Sequence, residues 1–186
     1  LEEAKETITK AEIVLAQLEM RMEVTERLSE MCEEAGVALL LNPAPAAELP
    51  ERVLKRVTYL TPNEKELEKI SGMRVRNGEE AKRAAEALVK RGVKNVIATM
   101  GSRGALISNG EGSEAIAGYK VTAVDTVAAG DSFNGALAYG ITKGKSLRES
   151  VKIANAVGAL TVTKKGAVPS LPSLREVLDF LKTVSC

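Results

Sequence analysis

Short apolar runs alternate with amphipathic stretches along the chain, and this alternation predicts strands and helices in turn. The start is interpreted as the end of a helix followed by a short strand near Ile13–Gln17. The stretch "EVTERLSEMCEEAG" then has helical spacing and ends at Gly36, a residue typical of the position after a helix. The run "VALLLN" is continuously apolar, as in strands that are buried on both faces of a parallel sheet.

The same alternation continues toward the C-terminal end. "TYLTPNEKELEKISG" predicts a short strand, a Thr-Pro-Asn turn and a helix from about Glu64 to Gly72. A helix with one apolar stripe, a strand, a glycine turn and a second strand follow it. "EGSEAIAGYKVTAV" is interpreted as two short strands, and three helices are predicted near 130–143, 146–163 and 173–183.

Strands that alternate with helices predict a single α/β domain over residues 1–186, built as a three-layer, doubly wound and mostly parallel sheet. In such sheets, ligands bind beyond the carboxyl ends of the strands. The polar turns "NPAP", "TPNEKE", "TMGSRG" and "DTVAAGD" all follow predicted strands. We therefore expect these four turns to lie along one edge of the sheet.

The composition narrows the classes of partner. The 186 residues carry a net charge of +1, with 45% apolar and 27% charged residues, so nothing favours a nucleic acid or an anionic membrane. Aromatic residues make up only 3% and Trp is absent, which disfavours stacking on single-stranded nucleic acid. No apolar run reaches the roughly 18 residues that a membrane span needs. We expect small-molecule partners rather than nucleic acid or membrane.

The absence of histidine excludes several kinds of chemistry. Neither Ser-His-Asp nor Cys-His catalysis is available, and the common imidazole zinc sites are excluded as well. Cys32 and Cys186 lie far apart, which argues against a disulfide framework and favours a reducing, cytoplasmic setting. Acid–base chemistry must therefore come from Asp, Glu, Lys, Tyr or Cys.

The stretch "DTVAAGDSFNGALAYGI" carries the strongest chemical signal. Ala128, Ala129 and Gly130 are small residues that leave backbone N–H groups exposed at the start of a helix, where anions bind. A carboxylate at Asp131 beside a bound phosphoryl group suits a base that accepts the proton of an attacking hydroxyl. The alternative is that Asp131 simply caps the helix, because Asp is common at helix starts.

Motifs that occur in family order make the signal specific. "DTVAAGDSFNGALA" resembles the signature D-T-x-G-A-G-D-x-F of the ribokinase family of carbohydrate kinases, with Ala128 where Gly is more frequent. "QLE", "NPAPA", "TPNEKE", "TMGSRG" and "KKGAVPS" agree with that family in the same order. The resemblance implies ATP-dependent phosphorylation of a sugar primary hydroxyl, with D-ribose as the expected sugar and fructose or another small sugar as the alternative.

The resemblance also implies roles for the residues around the turn. Asp131 is the expected base, and the amides of residues 128–131 are the expected anion hole. Glu66 is expected to organise magnesium by contacting the metal through a water molecule. The alternative is that Glu66 forms a capping box with Asn63. A monovalent cation, usually potassium in this family, is expected to be held by oxygen atoms of the loops around the turn. The residues implied are Asp125, Val127, Thr161, Gly166 and Ser170.

Nucleotide and sugar contacts follow from the remaining motifs. The residues that the resemblance assigns to the nucleotide are Asn63, Thr99, Gly101, Ser102, Gly104 and Asn155. Taken alone, "TMGSRG" is equally a hairpin turn, and Asn155 is equally an ordinary polar helix residue. Glu19 joins Asp131 as an expected sugar contact, and Asn42 is expected to border the phosphates.

The front of the chain departs from the family pattern. The G-G-K-G-A-N type motif, an early substrate-binding Asp and the small β-lid are not found in this sequence. We expect the remainder of a longer kinase, inactive as an isolated chain and homodimeric in its full-length form. The alternatives are a short kinase-like protein and a nucleotide-binding module without catalysis. An NAD-binding Rossmann domain is disfavoured, because no G-x-G-x-x-G follows a first strand.

Overall fold

The computed structural model describes residues 1–184 of the chain. These residues divide into two compact units. The first unit comprises Leu1–Met100 and Leu106–Ala115, and the second comprises Gly101–Ala105 and the described chain from Ile116 onward. The prediction of a single domain over residues 1–186 stays a prediction.

The helices and strands of the first unit alternate as the apolar pattern predicts. In chain order they are α1 (Lys5–Thr9), β1 (Ile13–Gln17), α2 (Met22–Ala35), β2 (Ala38–Asn42), α3 (Glu51–Leu54), β3 (Tyr59–Leu60), α4 (Glu64–Ser71), α5 (Gly78–Lys90) and β4 (Asn95–Thr99). Strands β5 (Gly104–Asn109) and β6 (Gly112–Ala117) follow, and the first two residues of β5 and the last two of β6 belong to the second unit. The strand predicted at Ile13–Gln17 is confirmed.

The strands form one six-stranded sheet in the order β1-β2-β3-β4-β5-β6. The pairs β1–β2, β2–β3 and β3–β4 are parallel, with Gln17 opposite Asn42 and Leu60 opposite Val96. Only two residues separate β5 from its hydrogen-bonded neighbour β6, and a connection this short joins antiparallel strands. The α/β prediction with parallel strands is therefore confirmed, with an antiparallel hairpin at the last strands.

The core of the first unit explains why these segments form strands and helices. Leu39, Leu40 and Leu41 of β2 are all fully buried, so this strand is buried on both faces, as its continuous apolar run predicts. Full burial of one such side chain contributes about 1.5–3 kcal/mol relative to its exposure. Helices α2 and α4 end at Gly36 and Gly72, whose φ angles of 67° and 70° lie in the left-handed region.

The second unit contains the last three helices, α6 (Ala129–Thr142), α7 (Leu147–Thr161) and α8 (Leu174–Val184). Helix α6 packs directly on α7. A Cβ atom added at Gly140 would lie 2.8 Å from Cβ of Ser150, so the absence of a side chain permits this close approach. The three predicted helices are confirmed to within a few residues at each end.

One prediction of secondary structure is wrong. Of the two strands expected in "EGSEAIAGYKVTAV", only Gly112–Ala117 is a strand, and residues 118–123 form none. Gly118 passes so close to Ser102 that an added Cβ would lie 2.6 Å from its carbonyl oxygen. Farther on, the N–H groups of Val124 and Asp125 donate to the carbonyl of Val162, 2.7 and 3.2 Å away, so a loop contact takes the place of a strand partner.

Candidate active site

The turn before α6 has an unusual backbone. Ala128 has φ 60° and ψ 8°, and it is the one non-glycine residue with positive φ in the described part of the chain. Helix α6 begins at the next residue, and its first i to i−4 hydrogen bond runs from the Ser132 N–H to the Ala128 carbonyl at 2.9 Å. Among the amides that precede that bond, the Ala129 N–H donates to the Thr126 carbonyl at 3.3 Å, and those of Gly130 and Asp131 lie in the first turn, where a helix presents N–H groups and the positive end of its dipole.

Asp131 is the third residue of α6 and its side chain is exposed. The residue that flanks the helix start is Ala128, which has no capping side chain, so Asp131 is not the N-cap residue. Asp131 lines a pocket of about 540 Å³, together with apolar residues of α6, α7 and the loop before α8 that include Tyr139, Val157 and Leu171. The carboxylate thus lies at the mouth of the small-residue turn and beside a cavity.

Asp125 clamps this turn to the loop that follows α7. One carboxylate oxygen accepts the Val127 N–H at 3.1 Å, and the other accepts the Gly166 N–H at 2.9 Å. The Gly166 N–H bond is the largest cause that holds the pKa of Asp125 below its ordinary value, and the Val127 N–H adds to it. Two segments 41 residues apart in sequence therefore meet at one carboxylate.

The other residues expected to hold a monovalent cation lie in the same unit. Thr161 is the last residue of α7 and Ser170 ends a short 3₁₀ turn, and both are fully buried. The Ser170 hydroxyl donates to the Ala167 carbonyl at 2.6 Å. The Val127 side chain is a hydrocarbon without oxygen atoms, so this residue offers only its backbone carbonyl. The structure joins Asp125 directly to Val127 and Gly166 among the expected ligands.

In the first unit, polar residues at three neighbouring strand ends lie together, as expected for the carboxyl edge of a parallel sheet. The Asn42 side-chain amide at the end of β2 donates to the Thr61 carbonyl at 3.0 Å. Asn63 forms an isolated parallel bridge with Thr99 at the end of β4. Glu19 is exposed two residues after β1, whose last residue pairs with Asn42.

Asn63 and Glu66 form a closed capping box at the start of α4. Glu66 accepts the Asn63 N–H at 2.8 Å on one oxygen and the Asn63 side-chain amide at 2.7 Å on the other. Asn63 Oδ1 accepts the Glu66 N–H at 3.0 Å in return. Burial raises the pKa of Glu66, and the two hydrogen bonds from Asn63 offset only part of that rise. The capping alternative for this pair is thus present in the structure.

The second unit also gathers most of the residues expected to bind nucleotide. Gly101 and Ser102 lie in a 3₁₀ turn, and Gly104 follows with φ 96°. A Cβ atom at Gly104 would collide with the backbone of Ile116 and Gly118, so only glycine fits there. The Asn155 side-chain amide on α7 donates to the carbonyls of Ile116 and Ala117, both at 3.2 Å.

Within the described residues, no helix has the length and apolar character that crossing a membrane requires. No group of three or more His, Cys, Asp or Glu side chains in the same residues is placed to hold a metal ion.

Comparison with known proteins gives a consistent set of matches. The sequence pattern described as pfkB family carbohydrate kinase matches residues 1–174. Ribokinase from Haemophilus influenzae is 37% identical over 94% of this chain and 57% of its own length. Ribokinase from Staphylococcus aureus is 38% identical over 94% of this chain and 58% of its own. Deoxyribokinase from Salmonella typhi is 34% identical over 97% of this chain and 60% of its own length.

Solved structures show the same likeness. Arabidopsis thaliana ribokinase complexed with ribose and ATP superposes with a TM-score of 0.93 at 31% identity, over 98% of this chain and 59% of that one. Ribokinase from Thermotoga maritima gives a TM-score of 0.87 at 36% identity, over 96% of this chain and 59% of that one. The chain therefore spans somewhat less than 60% of these two solved structures.

Proposed function

Because the chain belongs to the pfkB family of carbohydrate kinases, we propose that it acts in the ATP-dependent phosphorylation of a sugar primary hydroxyl. D-ribose is the proposed sugar, because ribokinases are among its similar relatives and a similar structure holds ribose and ATP. The observation that carries the proposal is the turn before α6, where a left-handed Ala128 leads directly into the helix that bears Asp131.

The proposed chemistry uses the two features of that turn separately. The carboxylate of Asp131 accepts the proton of the sugar hydroxyl as the hydroxyl oxygen attacks the γ-phosphorus and the bond to the leaving ADP oxygen breaks. The amides of residues 128–131 stabilise the negative charge on the transferred phosphoryl group, because the helix dipole adds to their N–H groups. Glu19 is proposed to contact the sugar.

We assign nucleotide binding to two regions of the chain, one in each unit. Thr99 and Asn63, which are bridged in the first unit, are proposed to face the phosphates. In the second unit, the side chain of Asn155 and the turn beginning at Gly101 are proposed to border the nucleotide, since the open space beside Gly101 lets a ligand approach the backbone. Ser102 and Gly104 belong to the same turn.

The residues present are compatible with the two expected cations. Both oxygens of Glu66 bond to Asn63, but each keeps a further lone pair that can accept from metal-bound water, which suits magnesium. Bound magnesium would neutralise charge on the phosphates. For a monovalent cation, the Asp125 clamp brings a carboxylate next to the loop of Gly166, with carbonyls at Val127 and Thr161 and the Ser170 hydroxyl as further oxygen donors.

The test is an ADP-release assay on the product of the complete gene, with D-ribose, 2-deoxyribose and fructose offered in parallel. We expect the highest kcat/KM for D-ribose, and a homodimeric enzyme in the cytoplasm. The 186-residue chain alone is expected to show no ribose turnover. If the product of the complete gene binds ATP but releases no ADP with any of the three sugars, the proposal is overturned. That result would favour a non-catalytic nucleotide-binding protein.

A further inference from the structure

Two buried hydroxyl groups connect the start of α6 to the end of α7. The hydroxyl oxygens of Thr161 and Ser132 lie 3.0 Å apart, and Ser132 donates to the Ala129 carbonyl at 3.0 Å. Thr161 is fully buried and Ser132 is 8% exposed. Neither side chain faces solvent, so both hydroxyl groups depend on these partners.

The hydrogen bonds of the two hydroxyl groups run in one direction. A carbonyl oxygen only accepts, so Ser132 donates its hydroxyl proton to the Ala129 carbonyl and accepts from Thr161. The Thr161 proton is shared between Ser132 and the Val157 carbonyl, 2.8 Å away. The chain therefore runs from Thr161 through Ser132 to the carbonyl of Ala129, the first residue of α6.

That carbonyl belongs to the same planar peptide group as the N–H of Gly130. In a trans peptide the C=O and N–H point in opposite directions, so fixing the carbonyl direction also fixes the direction of the N–H. A hydrogen bond to the carbonyl also polarises the group and strengthens the N–H as a donor. Gly130 is exposed and has no side chain that could hold its backbone in place.

The end of α7 also contacts the beginning of the loop that precedes α6. The carbonyl of Val162, one residue after Thr161, accepts the N–H groups of Val124 and Asp125 at 2.7 and 3.2 Å. The segment from Val124 to Ser132 is thus anchored at both ends to two consecutive residues, Thr161 at the end of α7 and Val162 just after it.

We propose that Ser132 and Thr161 are positioning residues that orient the Gly130 amide through the Ala129 carbonyl. The proposal rests on the function given above, in which that amide stabilises the transferred phosphoryl group. Neither hydroxyl touches the reacting atoms, so the two act only through the peptide group that they hold. The side chain of Thr161 has this role independently of its backbone carbonyl, which is an expected cation ligand.

The first test does not depend on activity. The ¹H–¹⁵N resonance of Gly130 is recorded in the isotope-labelled 186-residue chain and in the Ser132→Ala, Thr161→Val and Thr161→Ser variants. We expect the amide nitrogen to move upfield in the first two, and to return toward its original position in Thr161→Ser, which restores the hydroxyl. The matched control is Thr142→Val, which removes a hydroxyl that bonds to the Tyr139 carbonyl at 3.0 Å at the far end of α6. A Gly130 shift no larger than in the control would overturn the proposal.

The second test is kinetic and uses the product of the complete gene. Ser132→Ala and Thr161→Val should each lower kcat about tenfold while the KM values stay within about twofold, because a misoriented oxyanion donor costs less than the 10²–10³ of its removal. The double variant should be no slower than Ser132→Ala alone, since both hydroxyls act through one carbonyl. Multiplying losses would refute the shared route. An unchanged kcat in Asp131→Asn would instead refute the proposed function and leave the Gly130 result to decide this inference.

Discussion

The left-handed backbone at Ala128 predicts that a smaller residue there stabilises the protein. An alanine in this conformation costs about 1–2 kcal/mol, because its Cβ crowds the following carbonyl oxygen. At φ 60° and ψ 8° the residue lies within that region. Glycine adopts it freely but adds about 0.4–1 kcal/mol of unfolded-state entropy cost. Ala128→Gly should therefore raise the free energy of unfolding by about 0.5–1 kcal/mol.

The assay is urea denaturation followed by circular dichroism, with the midpoint and slope fitted for each variant. Ala138→Gly is the matched control, because it makes the same change inside α6 at a residue without positive φ. In a helix interior, glycine is about 0.8–1 kcal/mol less favourable than alanine. The two variants should thus change stability in opposite directions. Destabilisation by Ala128→Gly equal to that of Ala138→Gly would refute the assigned strain.

Further predictions concern the clamp and the helix contacts of the second unit. Asp125→Asn leaves only one acceptor oxygen for two N–H groups, so hydrogen exchange at the Gly166 amide should accelerate, whereas Asp179→Asn should leave it unchanged. Gly140→Ala should destabilise the protein by about 1–2 kcal/mol, because the added Cβ would overlap Ser150. Gly135→Ala, which has open space around it, should stabilise the protein by a few tenths to about 1 kcal/mol. Thermal unfolding of the two variants measures both effects. Hydrogen bonds from Ser173 and Lys164 lower the pKa of Glu176 to about 2, so its contribution to stability is present above its ordinary pKa of 4.5 and is lost as pH falls toward 2. The Tm difference between wild type and Glu176→Gln should shrink over that range, and a constant difference would contradict it.

The fold could be predicted in large part because its local signals are strong. Apolar runs of strand length and glycines such as Gly36 and Gly72 determine where elements begin and end, and the structure confirms them. The error at residues 118–123 arose because Tyr119, Val121 and Thr122 are residue types that favour strands. The Val162 carbonyl, which binds the following segment, is remote in sequence and gives no local signal.

The candidate site was less accessible to sequence analysis. The motif around Asp131 identified the turn, but the clamp from Asp125 to Gly166 joins residues far apart in the chain, so no spacing rule reveals it. Ser132 was missed altogether, because a serine in the first turn of a helix is common and its partner Thr161 is 29 residues away. The catalytic and ligand roles assigned to these residues stay predictions.

The proposed role of Asp131 as the base can be tested by comparing two aspartate variants. In the product of the complete gene, Asp131→Asn is measured beside Asp179→Asn, which changes an exposed aspartate of α8 in the same way. We expect a loss in kcat of roughly 10²–10⁴ for Asp131→Asn with ATP binding largely retained, since a general base contributes that much. The control should keep full activity. Turnover by Asp131→Asn within tenfold of wild type would show that Asp131 is not the base.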